Sequence, residues 1–235
     1  MATNKRLRQI SHQEAKSGIY IDFEGTKKDP SSFVGVLYKR GTELLWDQIV
    51  FEEALKPIVV HYKSEKLRGG DPPRMGEFIK TFKDLRKIAE TDGRCLFAFS
   101  EREIDELRKR LPKEEINWWE ENLLNARKYA VAWKKKNYPD VVFESIPFRG
   151  GKNSLDNFLD LIGFDVPSSL GPGNSAQRIR YVRDMLNRWD GDVNKLTSTA
   201  KGKWTKALNH NWYDCIGTRD LMIEVHKEAR SKVSD

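Results

Sequence analysis

The chain has 235 residues, of which 38% are hydrophobic and 33% charged; its net charge is +7 and its pI about 9.3. Seven Trp, seven Tyr and eleven Phe can build a core, which excludes a disordered chain. No run of about 18 apolar residues occurs and residues 1–17 are polar, so we expect neither a membrane span nor a secretory signal. Cys95 and Cys215 lack CxxC spacing, which argues against a disulfide scaffold and predicts a reducing, cytoplasmic location.

The first third of the chain predicts a polar arm followed by strands. Residues 1–17 form the predicted arm, and residues 18–235 a single domain. The predicted strands are Gly18–Glu24, Ser32–Lys39 and Thr42–Phe51, whose short polar connections favour an antiparallel meander. Val59–Gly76 is rich in Gly, Pro and charge and predicts a loop.

The remainder of the chain alternates between helix and strand and then becomes mostly helical. Hydrophobic spacing and breakers predict helices at Glu77–Glu90, Glu101–Leu111, Glu114–Lys136, Ser154–Ile162, Ala176–Trp189 and Lys203–Val225, strands at Cys95–Phe99 and Val141–Glu144, and a loop at Gly163–Ser175. This order of elements predicts an α/β fold with a mixed sheet flanked by helices.

Two carboxylates lie on the first predicted strand, in the segment IYIDFEG. Side chains alternate along a strand, so Asp22 and Glu24 share one face, about 6.6 Å apart, and the three apolar residues point the other way. Adjacent carboxylates in a folded core need compensating cations, and Mg²⁺ prefers oxygen ligands. The alternative is a half-exposed edge strand whose polar face meets water.

A second polar group occurs in the last predicted helix. His210, Asn211 and Asp214 are three or four residues apart and therefore share one helix face. Gly217 and Thr218 follow on that face, and their small size would let the helix pack closely on a sheet. The alternative is a helix start, with Asn209 or Asn211 as the N-cap residue and Asp214 in the first turn.

A third acid, Glu103, follows the junction between the strand Cys95–Phe99 and the next helix. This position suits a functional carboxylate at the end of a strand. The alternative is structural, because Ser100 and Glu103 have the S-x-x-E spacing of a capping box.

Four segments together resemble a known family: IDFEG at 21–25, FAFSEREIDEL at 97–107, SLDNFLDLIGF at 154–164 and HNWYDCIGTRDL at 210–221. The sequence resembles the DEDD exonuclease superfamily over residues 18–225. Within it, the sequence is most similar to the predicted ribonuclease H-like domains found beside RecB-like nuclease domains. It departs from the family pattern at His210 (usually Tyr), Gly217 (usually Ala), Asp156 (usually Lys) and Asn125, near which the family has an acid.

The resemblance implies a ribonuclease H-like sheet, with three antiparallel strands first and then parallel strands. It implies a nuclease that hydrolyses DNA or RNA, as a 3′–5′ exonuclease using two Mg²⁺ or Mn²⁺ ions. By this resemblance Asp22 would bridge both ions, Glu24 and Asp214 would hold one each, and His210 would act as general base. Glu103 is the candidate for the missing fourth ligand; Glu101 and Asp105 are its alternatives.

Basic residues are the candidates for holding nucleic acid, the expected partner. They are Arg149 and Lys152, Arg180 and Arg183, and Lys203 with Lys206. Lys134–Lys136 more often mark a solvated face. Trp118 and Trp119 are interpreted as core residues rather than as a base-stacking pair. Cys215 points away from Asp214 on a helix, which argues against a thiolate nucleophile.

Two other functions are compatible with the same residues. One is a catalytically impaired nucleic-acid-binding or interaction module on this fold, and the other is an endonuclease. A zinc hydrolase is disfavoured, because the four histidines lack paired ligand spacing. The resemblance also implies a protein partner within a larger nucleic-acid-processing system, and no membrane partner.

Overall fold

The computed structural model describes residues 7–25, 29–61, 71–145, 151–170 and 174–227. Across these ranges the strands are Ile19–Glu24 (β1), Phe33–Arg40 (β2), Glu43–Val50 (β3), Arg74–Met75 (β4), Leu96–Ala98 (β5) and Leu123–Asn125 (β6). Within the same ranges, no helix combines the length and the apolar character that crossing a membrane requires.

The helices vary from six to 28 residues. They are His12–Ser17 (α1), Lys56–His61 (α2), Phe78–Asp92 (α3), Arg102–Arg110 (α4), Lys113–Asn122 (α5), Ala126–Asn137 (α6), Leu155–Leu161 (α7), Ser175–Arg188 (α8) and Ser198–Val225 (α9). Short 3-10 helices occur at Glu53–Leu55, Ser168–Leu170 and Val193–Lys195.

The strands form one six-stranded sheet in the order β4-β3-β2-β1-β5-β6. β1, β2 and β3 are antiparallel neighbours, which confirms the predicted meander. β5 pairs parallel with both β1 and β6, and β4 pairs parallel with β3. The prediction of a mixed sheet flanked by helices is confirmed. Because β1 lies between β2 and β5, the edge-strand interpretation of the segment IYIDFEG is wrong.

The two faces of the sheet bury different sets of β1 residues. Ile19, Ile21 and Phe23 pack on the face covered by α3, α4 and α5, together with the fully buried Trp119. Tyr20 packs on the opposite face, against residues of α6 and α9. Asp22 and Glu24 belong to this second face by alternation, as predicted. The core interpretation of Trp119 is confirmed, and Trp118 is partly buried against the same cluster.

The long helix predicted over Glu114–Lys136 is wrong, because β6 divides it into α5 and α6. Leu123, Leu124 and Asn125 pair with β5. The Asn125 side chain then accepts a hydrogen bond from the Lys128 backbone N–H at 3.2 Å and begins α6. The strand predicted at Val141–Glu144 is also wrong: this segment has no regular structure, and Val142 is 81% exposed.

The described part of the predicted arm packs on the domain. Ser11 and Glu14 form a capping box that begins α1. Ala15 is buried, and its carbonyl accepts a hydrogen bond from the Tyr20 hydroxyl at 2.6 Å. The predicted loop Val59–Gly76 contains the end of α2 and the short strand β4; residues 62–70 lie outside the described ranges.

Candidate functional site

A cavity of about 400 Å³ lies at the carboxyl ends of β1 and β5, bordered by α4, α7, α8 and α9. Its polar lining residues include Asp22, Glu24, Ser100, Arg102, Glu103, Arg127, Asp156, Ser175, His210 and Asp214. The structure therefore brings together, around one space, all five residues predicted to be catalytic. Parallel pairing of β1 with β5 causes this, since it places the segments that follow both strands at one edge of the sheet.

Helix α9 presents His210 and Asp214 to the cavity from its middle. The helix begins at Ser198, where the Thr197 side chain accepts a hydrogen bond from the Ala200 backbone N–H at 3.2 Å. The interpretation of Asn209 or Asn211 as an N-cap residue is therefore wrong. His210 Nδ1 lies 3.1 Å from Asp214 Oδ2, an ion-pair distance, although the two groups are not aligned as a hydrogen bond.

Asn211 connects α9 to the sheet below the cavity. Its Nδ2 group donates to Asp22 Oδ2 at 2.7 Å and to the Asp22 carbonyl at 2.9 Å. Its Oδ1 accepts a hydrogen bond from Gln48 Nε2 at 3.1 Å. Asn211 is fully buried, so these bonds are its compensation for leaving water. They fix one oxygen of the Asp22 carboxylate.

A glycine on β2 makes this contact sterically feasible. Asp22, Gly35 and Gln48 are in register across β1, β2 and β3, and Gly35 is the middle one. A Cβ atom at Gly35 would overlap Asn211 Oδ1 and the Trp46 ring. The close approach of α9 to the sheet thus occurs at Gly35. The sequence predicts this approach at Gly217 and Thr218, but Gly217 faces α7, where an added Cβ would lie 2.8 Å from Leu159 Cδ1.

Glu103 is buried at the first turn of α4, and Ser100 holds its carboxylate. The Ser100 backbone N–H and hydroxyl both donate to Glu103 Oε2, at 3.1 and 2.8 Å. This is half of the predicted capping box, because the Ser100 hydroxyl accepts from the Arg102 backbone N–H rather than from that of Glu103. The structural and functional interpretations of Glu103 are therefore compatible, since the carboxyl group also lines the cavity.

Burial raises the pKa values of three carboxyl groups in the cavity, those of Asp22, Glu24 and Glu103. The pKa of Asp22 is raised well above its usual value, by burial first and then by the charges of Asp214, Glu24 and Glu103. Burial raises the pKa of Glu24 to about 7, with a further contribution from Asp214. The pKa of Glu103 is also raised by burial. Each shift favours the protonated form of the group, and a bound cation would favour the carboxylate instead.

The pKa of His210 is also raised, because a neighbouring carboxylate stabilises the cationic imidazole. The charge of Asp214 raises the pKa of His210 to about 10, against the opposing effect of burial. This shift favours the protonated imidazole. A protonated imidazole is a donor; service as a general base requires that the charge of Asp214 be compensated first.

The donor set suits a divalent cation. Glu24, His210 and Asp214 each offer one ligand atom, and these atoms lie within 4.8 Å of one another. Asp22 and Glu103 add carboxylates to the same cavity. Carboxylate oxygens are ligands for Mg²⁺ and Mn²⁺, and an imidazole nitrogen favours transition metals such as Mn²⁺ over Mg²⁺.

The alternative acids lie elsewhere. Glu101 pairs with Lys128 at 2.6 Å and Asp105 with Arg108 at 2.7 Å, and neither lines the cavity. Asn125, near which the resemblance implies an acid, caps α6 and does not line the cavity either. Asp156, where the resemblance implies Lys, does line it.

The predicted nucleic-acid-binding residues differ in their exposure and in their contacts. Arg149 lies outside the described ranges, and Lys152 is exposed beside the lining residue Asn153. Arg183 forms an ion pair with Glu52, with 3.2 Å between Nη1 and Oε1. Arg180 is exposed, and Lys203 Nζ lies 4.5 Å from the centre of the Tyr181 ring.

Sequence patterns missed four residues that shape the cavity. Gln48 and Gly35 contact Asn211 because of the register between strands, and local periodicity does not predict that register. Arg102, which donates to the Gly25 carbonyl at 3.0 Å, and Arg127 line the cavity as its two arginines. The signal that could have located Arg102 is its position next to Glu103 at a helix start.

No protein-family model, curated protein or solved structure matches the chain.

Proposed function

We propose that this protein is a metal-dependent nuclease of the ribonuclease H-like class, which hydrolyses phosphodiester bonds of DNA or RNA. One observation carries the proposal: Asp22 and Glu24 from β1, Glu103 from α4 and Asp214 from α9 converge on one cavity with His210. Four buried or half-buried carboxyl groups in one space are costly unless cations compensate them. Cation-dependent hydrolysis of a phosphodiester is the chemistry that uses such a set.

The sheet and the sequence motifs support the same class. The resemblance to DEDD exonucleases implies three antiparallel strands followed by parallel ones, and β1–β3 with β5 and β6 have this arrangement. Asp214, which matches the family's last motif, lines the cavity, and Asn211 of the same motif donates a hydrogen bond to Asp22 below it. Asn125 caps a helix, and Glu103, the candidate for the fourth ligand, lines the cavity.

Asp22, Glu24, Glu103 and Asp214 would hold the ions. Bound Mg²⁺ or Mn²⁺ ions supply Lewis acidity, which makes a water molecule more acidic and offsets the charge on the leaving oxygen. The protein's own side chains orient the carboxylates. Asn211 orients Asp22 through Oδ2, and Ser100 orients Glu103 through Oε2.

His210 is the candidate acceptor for the proton that the attacking water releases. Its Nδ1 atom lies next to Asp214, so compensating the Asp214 carboxylate would lower the pKa of His210 towards the range of a general base. Having released its own proton to solvent, the imidazole would accept one from the attacking water, whose oxygen bonds to phosphorus as the P–O bond to the leaving oxygen breaks. The leaving oxygen would take a proton from solvent. Cleavage from the 3′ end remains part of the proposal.

The experiment compares wild type with Asp22→Asn and with Asp105→Asn as the matched control, since Asp105 is an exposed acid paired with Arg108. The substrates are 5′-labelled single-stranded DNA and RNA, with Mn²⁺. We expect laddered products from wild type and the control, and a loss of at least about a hundredfold in rate for Asp22→Asn.

Calorimetric titration with Mn²⁺ gives a readout that does not depend on activity. We expect wild type and Asp105→Asn to bind Mn²⁺ and Asp22→Asn to bind it more weakly. Absence of both cleavage and Mn²⁺ binding in folded wild type, with nucleic-acid binding that EDTA leaves unchanged, would favour the non-catalytic binding module instead.

A further inference from the structure

We infer that the paired helices α8 and α9 carry a phosphate-binding track, formed by Arg180, Lys203 and Lys206, which holds the substrate strand as it leaves the cavity. The inference depends on the proposed function for the identity of the ligand, a single-stranded nucleic acid. The track itself is a feature of these two helices and can be tested without catalysis.

Both helices lead away from the cavity side by side. Ala176, in the first turn of α8, and His210 of α9 line the cavity. Farther along, Tyr181 of α8 lies beside Lys203 of α9. The helices are therefore antiparallel, and a position farther along α8 meets a position earlier in α9. Apolar residues of both helices form a shared cluster that includes Ile179, Val182, Leu186, Ala200, Trp204, Ala207 and Leu208.

The three cations follow the cavity residues at helical spacing. Arg180 is one turn beyond Ala176, Lys206 one turn before His210, and Lys203 almost two turns before His210. With a rise of 1.5 Å per residue, these positions lie about 6 to 10 Å from the cavity residues along the helix axes. At the roughly 3.4 Å rise of a stacked strand, the track would contact two or three phosphates.

Arg180, Lys203 and Lys206 have no acidic partner among the described residues, a property that they share with the cavity residues Arg102 and Arg127. Lys128 is paired with Glu101, Arg108 with Glu120 and Arg183 with Glu52, whereas no described carboxylate lies within ion-pair distance of Arg180, Lys203 or Lys206. The first sixteen residues of α9, 198–213, contain no Asp or Glu. Uncompensated positive charge in a row is what a phosphate backbone requires.

Tyr181 restricts the position of one lysine of the track. Its half-buried ring holds Lys203 Nζ at 4.5 Å, which restricts a side chain that otherwise has much rotamer freedom. Asp184 is an acid on the exposed side of α8, and it lies 3.9 Å from Arg183. The local balance on the exposed faces therefore stays positive.

The test measures binding in EDTA, where hydrolysis is absent. The triple variant Arg180→Gln/Lys203→Gln/Lys206→Gln is compared with Lys113→Gln/Lys135→Gln/Lys136→Gln, which removes the same charge from exposed lysines of α5 and α6. The readout is fluorescence anisotropy of a labelled single-stranded oligonucleotide of about twelve nucleotides, between about 50 and 200 mM salt. Circular dichroism verifies that both variants fold.

We expect the track variant to bind at least about tenfold more weakly at low salt, and its plot of log K against log salt to be shallower by about 2, or about 0.7 per lost phosphate contact. The control should change less than about threefold. Equal weakening of the two variants, or an unchanged salt slope in the track variant, would overturn the inference.

A short substrate separates this inference from the proposed function. The p-nitrophenyl ester of thymidine 5′-monophosphate is too short to reach the track, so with Mn²⁺ the track variant should hydrolyse it as wild type does. The longer oligonucleotide should show a raised KM. Reduced binding without hydrolysis of either substrate by wild type would support the track and reject the nuclease. Hydrolysis with unchanged oligonucleotide KM would reject the track and support the nuclease.

Discussion

The side-chain amide of Asn211 orients the Asp22 carboxylate through a hydrogen bond. Replacing Asn211 with Leu keeps the volume but removes hydrogen bonds to Asp22 Oδ2 and to the Asp22 carbonyl, and leaves Gln48 with one partner fewer. We predict a decrease of about 1–3 kcal/mol in the free energy of unfolding. Because Asp22 would no longer be oriented, Mn²⁺ affinity should also fall about 10- to 100-fold. Urea unfolding and calorimetry measure the two effects.

Asn122→Ala is the control for this substitution. The Asn122 side chain donates to the Trp118 carbonyl within its own helix and does not line the cavity. It should leave Mn²⁺ affinity unchanged. If Asn211→Leu also bound Mn²⁺ as wild type does, Asn211 would have only a structural role.

At the residue scale, the sequence predicted what local spacing determines. Asp22 and Glu24 share a strand face because side chains alternate, and His210 and Asp214 share a helix face because they are four residues apart. Gln48 was not predictable in this way. Its contact with Asn211 requires the register of β2 and β3 and the position of α9.

At the scale of elements, the contact between α9 and β2 depends on Gly35. We predict that Gly35→Ala destabilises the protein by about 1–3 kcal/mol, since the added methyl group would overlap Asn211 and Trp46 in a packed core. Mn²⁺ affinity should fall as well, because Asn211 would be displaced from Asp22. Thermal and urea unfolding, with Mn²⁺ titration, measure these changes.

Gly202 provides the matched substitution within α9. A Cβ at Gly202 would meet no atom within 4 Å. Gly202→Ala should therefore stabilise the protein by about 0.5–1 kcal/mol, as removal of a helical glycine does. A loss of stability equal to that of Gly35→Ala would mean that close packing at Gly35 is not the cause.

β6 is an element that periodicity could not predict. Residues 114–136 keep helical spacing of apolar residues, so a single helix was the reasonable prediction. The break arises because Leu123–Asn125 complete the parallel edge of the sheet beside β5, a tertiary contact that overrides local preference. The three-residue length of β6 gave too short a pattern to recognise.

For the whole molecule, the raised pKa values predict that stability without metal falls as pH rises. The pKa of Glu24 is about 7 in the folded protein and ordinarily 4.5. Between these values the folded state retains a proton that the unfolded state has released, so stability is full below pH 4.5 and is lost towards pH 7. At about 1.4 kcal/mol per pKa unit, the loss is about 3 kcal/mol. His210 adds a loss of the same sign between pH 6.5 and about 10.

Glu24→Gln should remove the Glu24 part of this dependence, because an amide resembles the protonated carboxyl group. In EDTA at about pH 8 the variant should be more stable than wild type by a few kcal/mol, and at about pH 5 the two should be similar. Mn²⁺ should reverse the order at about pH 8, since it stabilises the wild-type carboxylate set and requires deprotonated ligands. Urea unfolding at both pH values measures these differences.

Glu106→Gln is the control with the opposite sign. Burial tends to raise the pKa of Glu106, but hydrogen bonds from Lys109 and Ser31 outweigh it, and the pKa is lowered. Its contribution to stability is therefore present at neutral pH and lost as pH falls through the folded pKa. Glu106→Gln should destabilise the protein at about pH 8, with or without Mn²⁺. A similar response of Glu24→Gln would mean that Glu24 is stabilised as a carboxylate by protein groups alone, and that the cavity does not need a cation.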